Sequence, residues 1–288
     1  IIPSNIGEKV ALRILDKSAL TLDLDKLGFN EQNLSRLKEI VQKPHGMLLV
    51  CGPTGTGKTT TLYSILKHID SPEKNIVTVE DPVEYQLSGI NQVTYRQDIG
   101  LTFSAALRSI LRQDPDIIMI GEIRDYETLD ISIKSALTGH LVLATLHTTT
   151  ASEAITRMID MGVEPFLISS SLIGIGAQRL VRRVCEYCKQ EYTLSSEEQK
   201  ELGLDKNVFF RGKGCDNCEN SGYRGRVAIM EFLSLTPEIK ELIGKKALDK
   251  EVQKEAVKSG MLTLRQDGLA KAEKGITTLE EVLRITVE

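Results

Sequence analysis

The apolar residues of this chain fall into short, solid runs, separated by longer stretches in which they recur every three or four positions. The runs at 47–51 (MLLVC), 76–79 (IVTV), 117–120 (IIMI) and 141–146 (LVLATL) predict short strands buried on both faces. Helical spacing is expected between them, at 59–69, 104–112, 127–137 and 151–161. Such alternation predicts an α/β fold whose parallel sheet is covered on both sides and binds ligands beyond the carboxyl ends of its strands. Upstream, 9–15 (KVALRIL) alternates like a strand, and 30–41 places Leu34, Leu37, Ile40 and Val41 on one helical face. Downstream the pattern predicts a helix over 164–180, a short acidic helix over 195–204 and a strand over 226–233. From 236 onward it is helical, with breaks at Gly244, Gly260 and Gly275.

The first strand–helix junction carries the most specific chemistry. GPTGTGKTT, from Gly52 through Pro53, Thr54, Gly55, Thr56, Gly57, Lys58 and Thr59 to Thr60, fits the phosphate-binding loop G-x-x-x-x-G-K-[ST] in its required strand–loop–helix context. Glycines let successive backbone amides turn toward a β-phosphate, and the helix N-terminus adds a favourable partial charge. Lys58 reaches the β- and γ-phosphates, and the Thr59 hydroxyl can ligate magnesium. A nucleoside triphosphate is therefore the expected ligand.

Acids gather at the next strand ends. VTVEDPVEY sets Glu80, Asp81 and Glu84 on the ligand side, whereas Asp116 lies at the far end of its strand and is discounted. IIMIGEIRD ends its strand on Gly121 and Glu122, where many phosphate-loop enzymes have a magnesium-binding Asp. A carboxylate at Glu122 can hold a metal-bound water or polarise an attacking one; the plain alternative is a solvated strand-end carboxylate. Two histidines bracket the next strand. Seven residues at about 3.3 Å each put them roughly 20 Å apart, so both cannot touch one phosphate. His147, at the carboxyl end, is the candidate γ-phosphate sensor, and His140 is expected to be structural or at a subunit contact.

Composition narrows the function classes. With 41% apolar and 26% charged residues the chain reads as globular, and 288 residues allow two domains. No apolar run nears the roughly 18 residues of a membrane span, and no signal peptide is read. The opening Ile1-Ile2-Pro3, without Met, suggests a piece of something longer. A net charge of −4, 5% aromatics and no Trp argue against a nucleic-acid substrate. Four of the five cysteines form two C-x-x-C pairs, Cys185 with Cys188 and Cys215 with Cys218, separated by 26 residues; Cys51 stands alone as a core residue. The pairs fit a closed tetrahedral zinc site, with a redox pair or unconnected surface cysteines as the alternatives.

Taken in order, GPTGTGKTT, VEDPVEY, IIMIGEIRD and TGHLVLATLHT resemble the Walker A, aspartate, Walker B and histidine boxes of the secretion ATPases of type II secretion and type IV pilus systems. CEYC and CDNC resemble the metal-binding insert of the secretion and pilus-assembly motors, which retraction motors lack. The resemblance covers nearly the whole chain. It implies a RecA-like core with a parallel sheet, a small zinc-binding insert and a helical C-terminal region. The implied layout is 1–27 for the remnant of an N-terminal domain and linker, 28–183 for the ATPase core, 184–230 for the tetracysteine domain and 231–288 for the C-terminal domain.

The resemblance further implies roles. Lys58 and Thr59 are the phosphate-loop pair, Glu122 is the catalytic Walker B glutamate, and Glu80, Asp81 and Glu84 position water or metal. Arg13, Arg108, Arg112 and Arg124 match arginines that approach phosphates within or across subunits, a task suited to a permanently charged fork. A bland alternative has Arg108 and Arg112 pairing with Asp114 or Asp116. ATP, magnesium and zinc are the implied cofactors. The implied assembly is a homo-hexamer at the cytoplasmic face of an inner membrane. It reaches that membrane only through a platform protein and an adaptor with a cytoplasmic domain, and binds no nucleic acid. Type II secretion is the main expectation and pilus assembly the alternative; a DNA-uptake motor or a nucleotide-gated scaffold are the rivals.

Overall fold

The computed structural model describes residues 2–11 and 22–286. The strand expected over 9–15, and Arg13 within it, lie largely outside them; a small hairpin precedes it, β1 (Ile2–Ser4) against β2 (Gly7–Lys9). The main sheet is built from β3 (Gly46–Cys51), β4 (Ile76–Glu80), β5 (Asn91–Thr94), β6 (Ile117–Ile120), β7 (Leu141–Leu146), β8 (Leu172–Val184) and β11 (Tyr223–Ser234). Their order is β11-β8-β3-β7-β6-β4-β5, parallel throughout except for β11, which runs antiparallel to β8.

Both faces are covered, as the solid apolar strands require. On one side α1 (Glu31–Ile40) and α2 (Lys58–Ile69) bury Leu37, Ile40, Leu62, Tyr63, Ile65 and Leu66 against Leu48, Val50 and Leu143. On the other, α3 (Phe103–Ile110), α4 (Tyr126–Leu137), α5 (Ala151–Asp160) and α6 (Pro165–Ser171) pack on Leu49, Ile118, Ile120 and Ala144. Side-chain caps start four of these helices: Asn30 for α1, Thr102 for α3, Asp125 for α4, and a reciprocal Thr150/Glu153 box for α5. Each such cap is worth about 1 kcal/mol.

One expected element is wrong in kind. The helix over 164–180 is α6 only as far as Ser171, and from Leu172 the chain is the long strand β8. The cause is packing. A Cβ on Gly174 would stand 2.8 Å from the Phe232 ring and 3.1 Å from Ile40, and one on Gly176 would stand 3.1 Å from Met230. These alternate glycines let β8 lie flush under β11's side chains, where it pairs with β3 on one edge and β11 on the other. Tertiary pairing overrides the helical spacing of the isolated segment.

Between β8 and β11 the chain forms the hairpin β9 (Lys189–Thr193) with β10 (Val208–Gly212), joined through α7 (Ser196–Glu201). The last helices are α8 (Pro237–Gly244), α9 (Asp249–Lys258), α10 (Leu264–Glu273) and α11 (Leu279–Ile285). They divide their allegiance. Ile239, Ile243, Val252 and Ala256 of α8 and α9 join the main core, whereas Ala272, Leu279 and Val282 of α10 and α11 pack on Leu194 and Phe209 of the hairpin region. β11 itself crosses residue 230, the expected domain boundary. Among the described residues no helix is long and apolar enough to cross a membrane.

Candidate functional site

The carboxyl ends of β3, β4, β6 and β7 open into a cleft of about 520 Å³ lined by Thr54, Gly55, Gly57, Lys58, Thr59 and Thr60 on one wall. The opposite wall carries Glu80, Asp81, Glu84, Glu122, Arg124 and His147. The loop's curl depends on two glycines in particular. Gly52 (φ 150°) would drive a Cβ to 2.6 Å from Thr56 Oγ1, and Gly57 (φ 86°) would drive one to 2.9 Å from Gln178 Nε2. Lys58 leans back along the loop, donating from Nζ to Gly52 O (2.7 Å) and Pro53 O (2.9 Å). Partial burial, and then the charge of Arg179, lower its pKa, and an anion brought into the cleft would oppose that shift.

Glu122 owes its position to its neighbours. Gly121 donates its amide to Val79 O (2.8 Å) and Ile123 donates its own to Thr145 O (3.0 Å), which pins the turn between β4 and β7. A Cβ on Gly121 would lie 3.2 Å from Glu80 Cα, so the backbone approach leaves little room there for an Asp. The carboxylate is carried one residue later instead. Arg124 pairs with Glu122 and reaches Asp81 at 3.3 Å. His147 Nε2 lies 2.8 Å from Glu122 Oε2. Burial, and then the charges of Lys58 and Arg124, push the His147 pKa down. At pH 7 the neutral ring therefore donates its Nε2 proton to Glu122.

Glu80 differs from its two companions. It is the last residue of β4, only 3% exposed, and accepts from Tyr63 Oη, from Thr78 Oγ1 (2.6 Å) and from Gln92 Nε2 (3.1 Å). It is tied into a buried network joining α2 to β4 and β5, whereas Asp81 and Glu84 face the cleft more openly. The remaining arginines lie elsewhere. Arg108 is exposed on α3 and pairs with Glu127 (2.8 Å), while Arg112 is exposed just past that helix, and neither lines the cleft. Asp116 accepts the Asn75 amide (2.7 Å) at the far end of the sheet, and His140 Nδ1 lies 3.0 Å from Ser135 O behind α4.

Two residues that sequence reasoning passed over support the loop from behind. Gln178 of β8, 2% exposed, donates to Thr56 O (2.8 Å) and accepts from Thr61 Oγ1 (2.8 Å). Arg179, next to it, reaches the loop that carries His147. The helical reading of 164–180 hid both. Beyond Gly57 and Thr60 a second cleft, about 720 Å³, continues along Leu180, Arg182, Tyr223 and Arg226.

The four paired cysteines converge. Their sulfurs lie within 4.8 Å of one another, with Cys185–Cys215 and Cys188–Cys218 at 3.8 Å and Cys215–Cys218 at 3.7 Å. Thiolates at about 2.3 Å from a tetrahedral zinc stand about 3.8 Å apart, whereas a disulfide needs about 2.05 Å. The donor set and its spacing fit zinc. Burial opposes ionisation of Cys218, but the amides of Cys215 and Gly222, each 3.3 Å from its sulfur, outweigh it and bring its pKa to about 6.

A family model described as "Type II/IV secretion system protein" matches residues 1–284. The chain belongs to this family. Among curated members it is 52% identical, over all of its length, to the type IV pilus assembly ATPase PilB of Thermus thermophilus, of which it spans 33%. It is 48% identical over 99% of its length to the type II secretion system ATPase E of Vibrio cholerae, of which it spans 57%. The chain thus covers from a third to somewhat over half of these relatives. Among solved structures, the pilus retraction motor PilT with bound ADP superposes with a TM-score of 0.70 at 29% identity, covering 92% of this chain and 67% of that one. The Legionella pneumophila ATPase DotB, at 23% identity and a TM-score of 0.64 over 87% of this chain and 62% of its own, shares the fold.

Proposed function

We propose that this chain is the ATP-hydrolysing unit of a type II secretion motor, acting as a homo-hexamer. One observation carries the reading: Glu122, held by His147 and Arg124, faces Lys58 and Thr59 across a single cleft at the carboxyl ends of parallel strands. In this reading the 52–60 amides and Lys58 bind the phosphates, and the second cleft takes the nucleoside half. Thr59 would hold magnesium, which offsets phosphate charge when bound. Glu122 orients water for in-line attack on the γ-phosphate, and His147 keeps that carboxylate aimed and reads whether the γ-phosphate is present. Asp81 and Glu84 assist with water or metal. Glu80 acts through Tyr63 and Gln92 by bracing the wall. Arg124 completes the charge on this side, and Arg108 and Arg112, exposed away from the cleft, are suited to a neighbouring subunit's phosphates.

The cysteine quartet would hold one structural zinc. The layout 1–27, 28–183, 184–230 and 231–288 is retained as functional division, with β11 and α8–α9 serving as the seam between the core and the C-terminal region. We place the protein at the cytoplasmic face of an inner membrane, reached through a platform protein and an adaptor. Pilus assembly is the second reading, favoured by the 52% identity to a pilus assembly ATPase. The test is Glu122→Gln. Because the group acts mainly in the transition state, nucleotide affinity should stay within about threefold while kcat falls at least a hundredfold. Phosphate release within about tenfold of wild type would sink the assignment.

A further inference from the structure

Arg179 follows Gln178 on β8, so its side chain leaves the opposite face of the sheet and meets the loop 147–150. Its two terminal nitrogens diverge. Nη1 donates to Gln178 O at 2.9 Å, and Nη2 donates to Thr149 O at 2.9 Å. A Cβ on Gly52 would stand 2.7 Å from Gln178 O and 3.4 Å from Nη1 of Arg179, so the guanidinium packs beside the first glycine of the phosphate-binding loop.

The rest of the 147–150 loop is held by acids. Thr149 gives both its amide (2.6 Å) and its hydroxyl (2.5 Å) to Glu153. Glu231, 1% exposed on β11, accepts the Ala151 amide at 2.6 Å and the Leu264 amide at 3.4 Å. Glu231 and Glu153 are also the carboxylates that favour the charge on Arg179 against its burial. One carbonyl of the loop is thus gripped by a cation and its amides by anions, and two residues upstream of Thr149 stands His147, bonded to Glu122.

We propose that Arg179 is a positioning residue for hydrolysis, fastening the His147-bearing loop to β8 beside the first glycine of the phosphate-binding loop, so that the Glu122–His147 pair keeps a fixed station over the bound phosphates. The arrangement needs a planar fork. Two rigid, divergent N–H groups span two carbonyls on different segments, which the single flexible ammonium of a lysine does not reproduce. The positive charge beside Lys58 is a separate service, shared with any cation at that place. The inference rests on the ATPase reading above.

The test compares wild type, Arg179→Lys and Arg179→Gln in the full-length protein, assembled as it occurs. Three quantities are read: steady-state phosphate release, affinity for a fluorescent ADP analogue, and hydrogen exchange of the amides at 148–151. Both variants should lose about tenfold or more in kcat, keep nucleotide affinity within about threefold, and exchange the 148–151 amides faster. The lysine variant guards against a glutamine variant that fails to fold. Wild-type turnover in Arg179→Lys would show that charge and not the fork matters, and would overturn the proposal. So would unchanged exchange in the loop, or a kcat loss matched by an equal loss of affinity. A wild type without ATP turnover refutes the ATPase reading itself, whereas an active wild type with equally active variants refutes only the role of Arg179.

Discussion

Replacing Gln178 by Leu isolates the support behind the phosphate-binding loop. The two side chains are close in volume, and the site is 2% exposed, so shape is nearly kept while two hydrogen bonds of 2.8 Å are removed. Each buried polar group left unpaired costs about 1–3 kcal/mol. The Thr61 hydroxyl can turn to the Gly57 carbonyl one turn back, already the acceptor of the Thr61 amide, so its share falls at the low end. The Thr56 carbonyl sits at the loop's apex and carries the larger share. Allowing for the apolar burial that leucine gains, the net loss should be about 2 kcal/mol. Because the bond fixes the loop conformation that presents its amides, most of that loss should appear in nucleotide binding, as a rise in Kd of between about tenfold and thirtyfold. Titration with a fluorescent ADP analogue reads the second quantity, and urea unfolding with and without nucleotide reads the first. A Kd within about threefold of wild type, with an unchanged urea midpoint, would show that the loop holds its shape without β8.

Two further outcomes follow from the C-terminal half. Cys215→Ser should lower bound zinc from about one per chain to well under half, and strong acid or chelator should do the same, while affinity for pyrophosphate, which needs only the phosphate cleft, stays within about threefold because no insert residue lines that cleft; metal analysis of reduced protein checks this, and full zinc retention refutes it. Glu281, 1% exposed, is opposed in its ionisation by burial, but Arg182 and Arg284 outweigh that and bring its pKa down to about 2, well below its unfolded value. Its contribution is therefore complete above about pH 5 and lost as pH falls toward 2, so Glu281→Gln should cost on the order of 3 kcal/mol at pH 7 and about half that at pH 3. Urea midpoints of both proteins at the two pH values decide it, a constant difference being the refuting result.

The parallel core was legible because its strands are apolar on both faces and its helices repeat their apolar residues every three or four positions. Asn30, Thr102, Asp125 and Thr150 cap helices within a residue of the expected starts. The phosphate-binding loop was legible for a related reason: its glycines and Lys58 answer to local geometry. What stayed hidden depends on partners distant in the chain. Leu172–Val184 becomes a strand through β3 and β11, and only the period-two glycines, Gly174 and Gly176, could have signalled it. Gln178 and Arg179 went unread with it. The burial of Glu80 was likewise invisible, since Tyr63 and Gln92 reach it from a helix and a neighbouring strand. The hairpin β9–β10 escaped because its two strands are separated by α7 and carry mixed, half-exposed residues.

Val184 and Tyr223 face each other across β8 and β11, so the chain between them departs from the sheet edge and returns to the same spot. The closure cost of a segment whose ends are neighbours grows only slowly with its length, by about 0.6 kcal/mol for each doubling. Natural exchange of that segment, or its replacement by a tight turn or a reporter domain, therefore leaves the register of the seven strands intact. An obstacle lies on the far side. Leu279, Val282 and Ala272 rest on Leu194 and Phe209, and a graft that removes the insert exposes them. Polar residues at those three positions of α10 and α11 would keep a shortened version from presenting an apolar patch, so the insert and its clasp are replaceable as a pair.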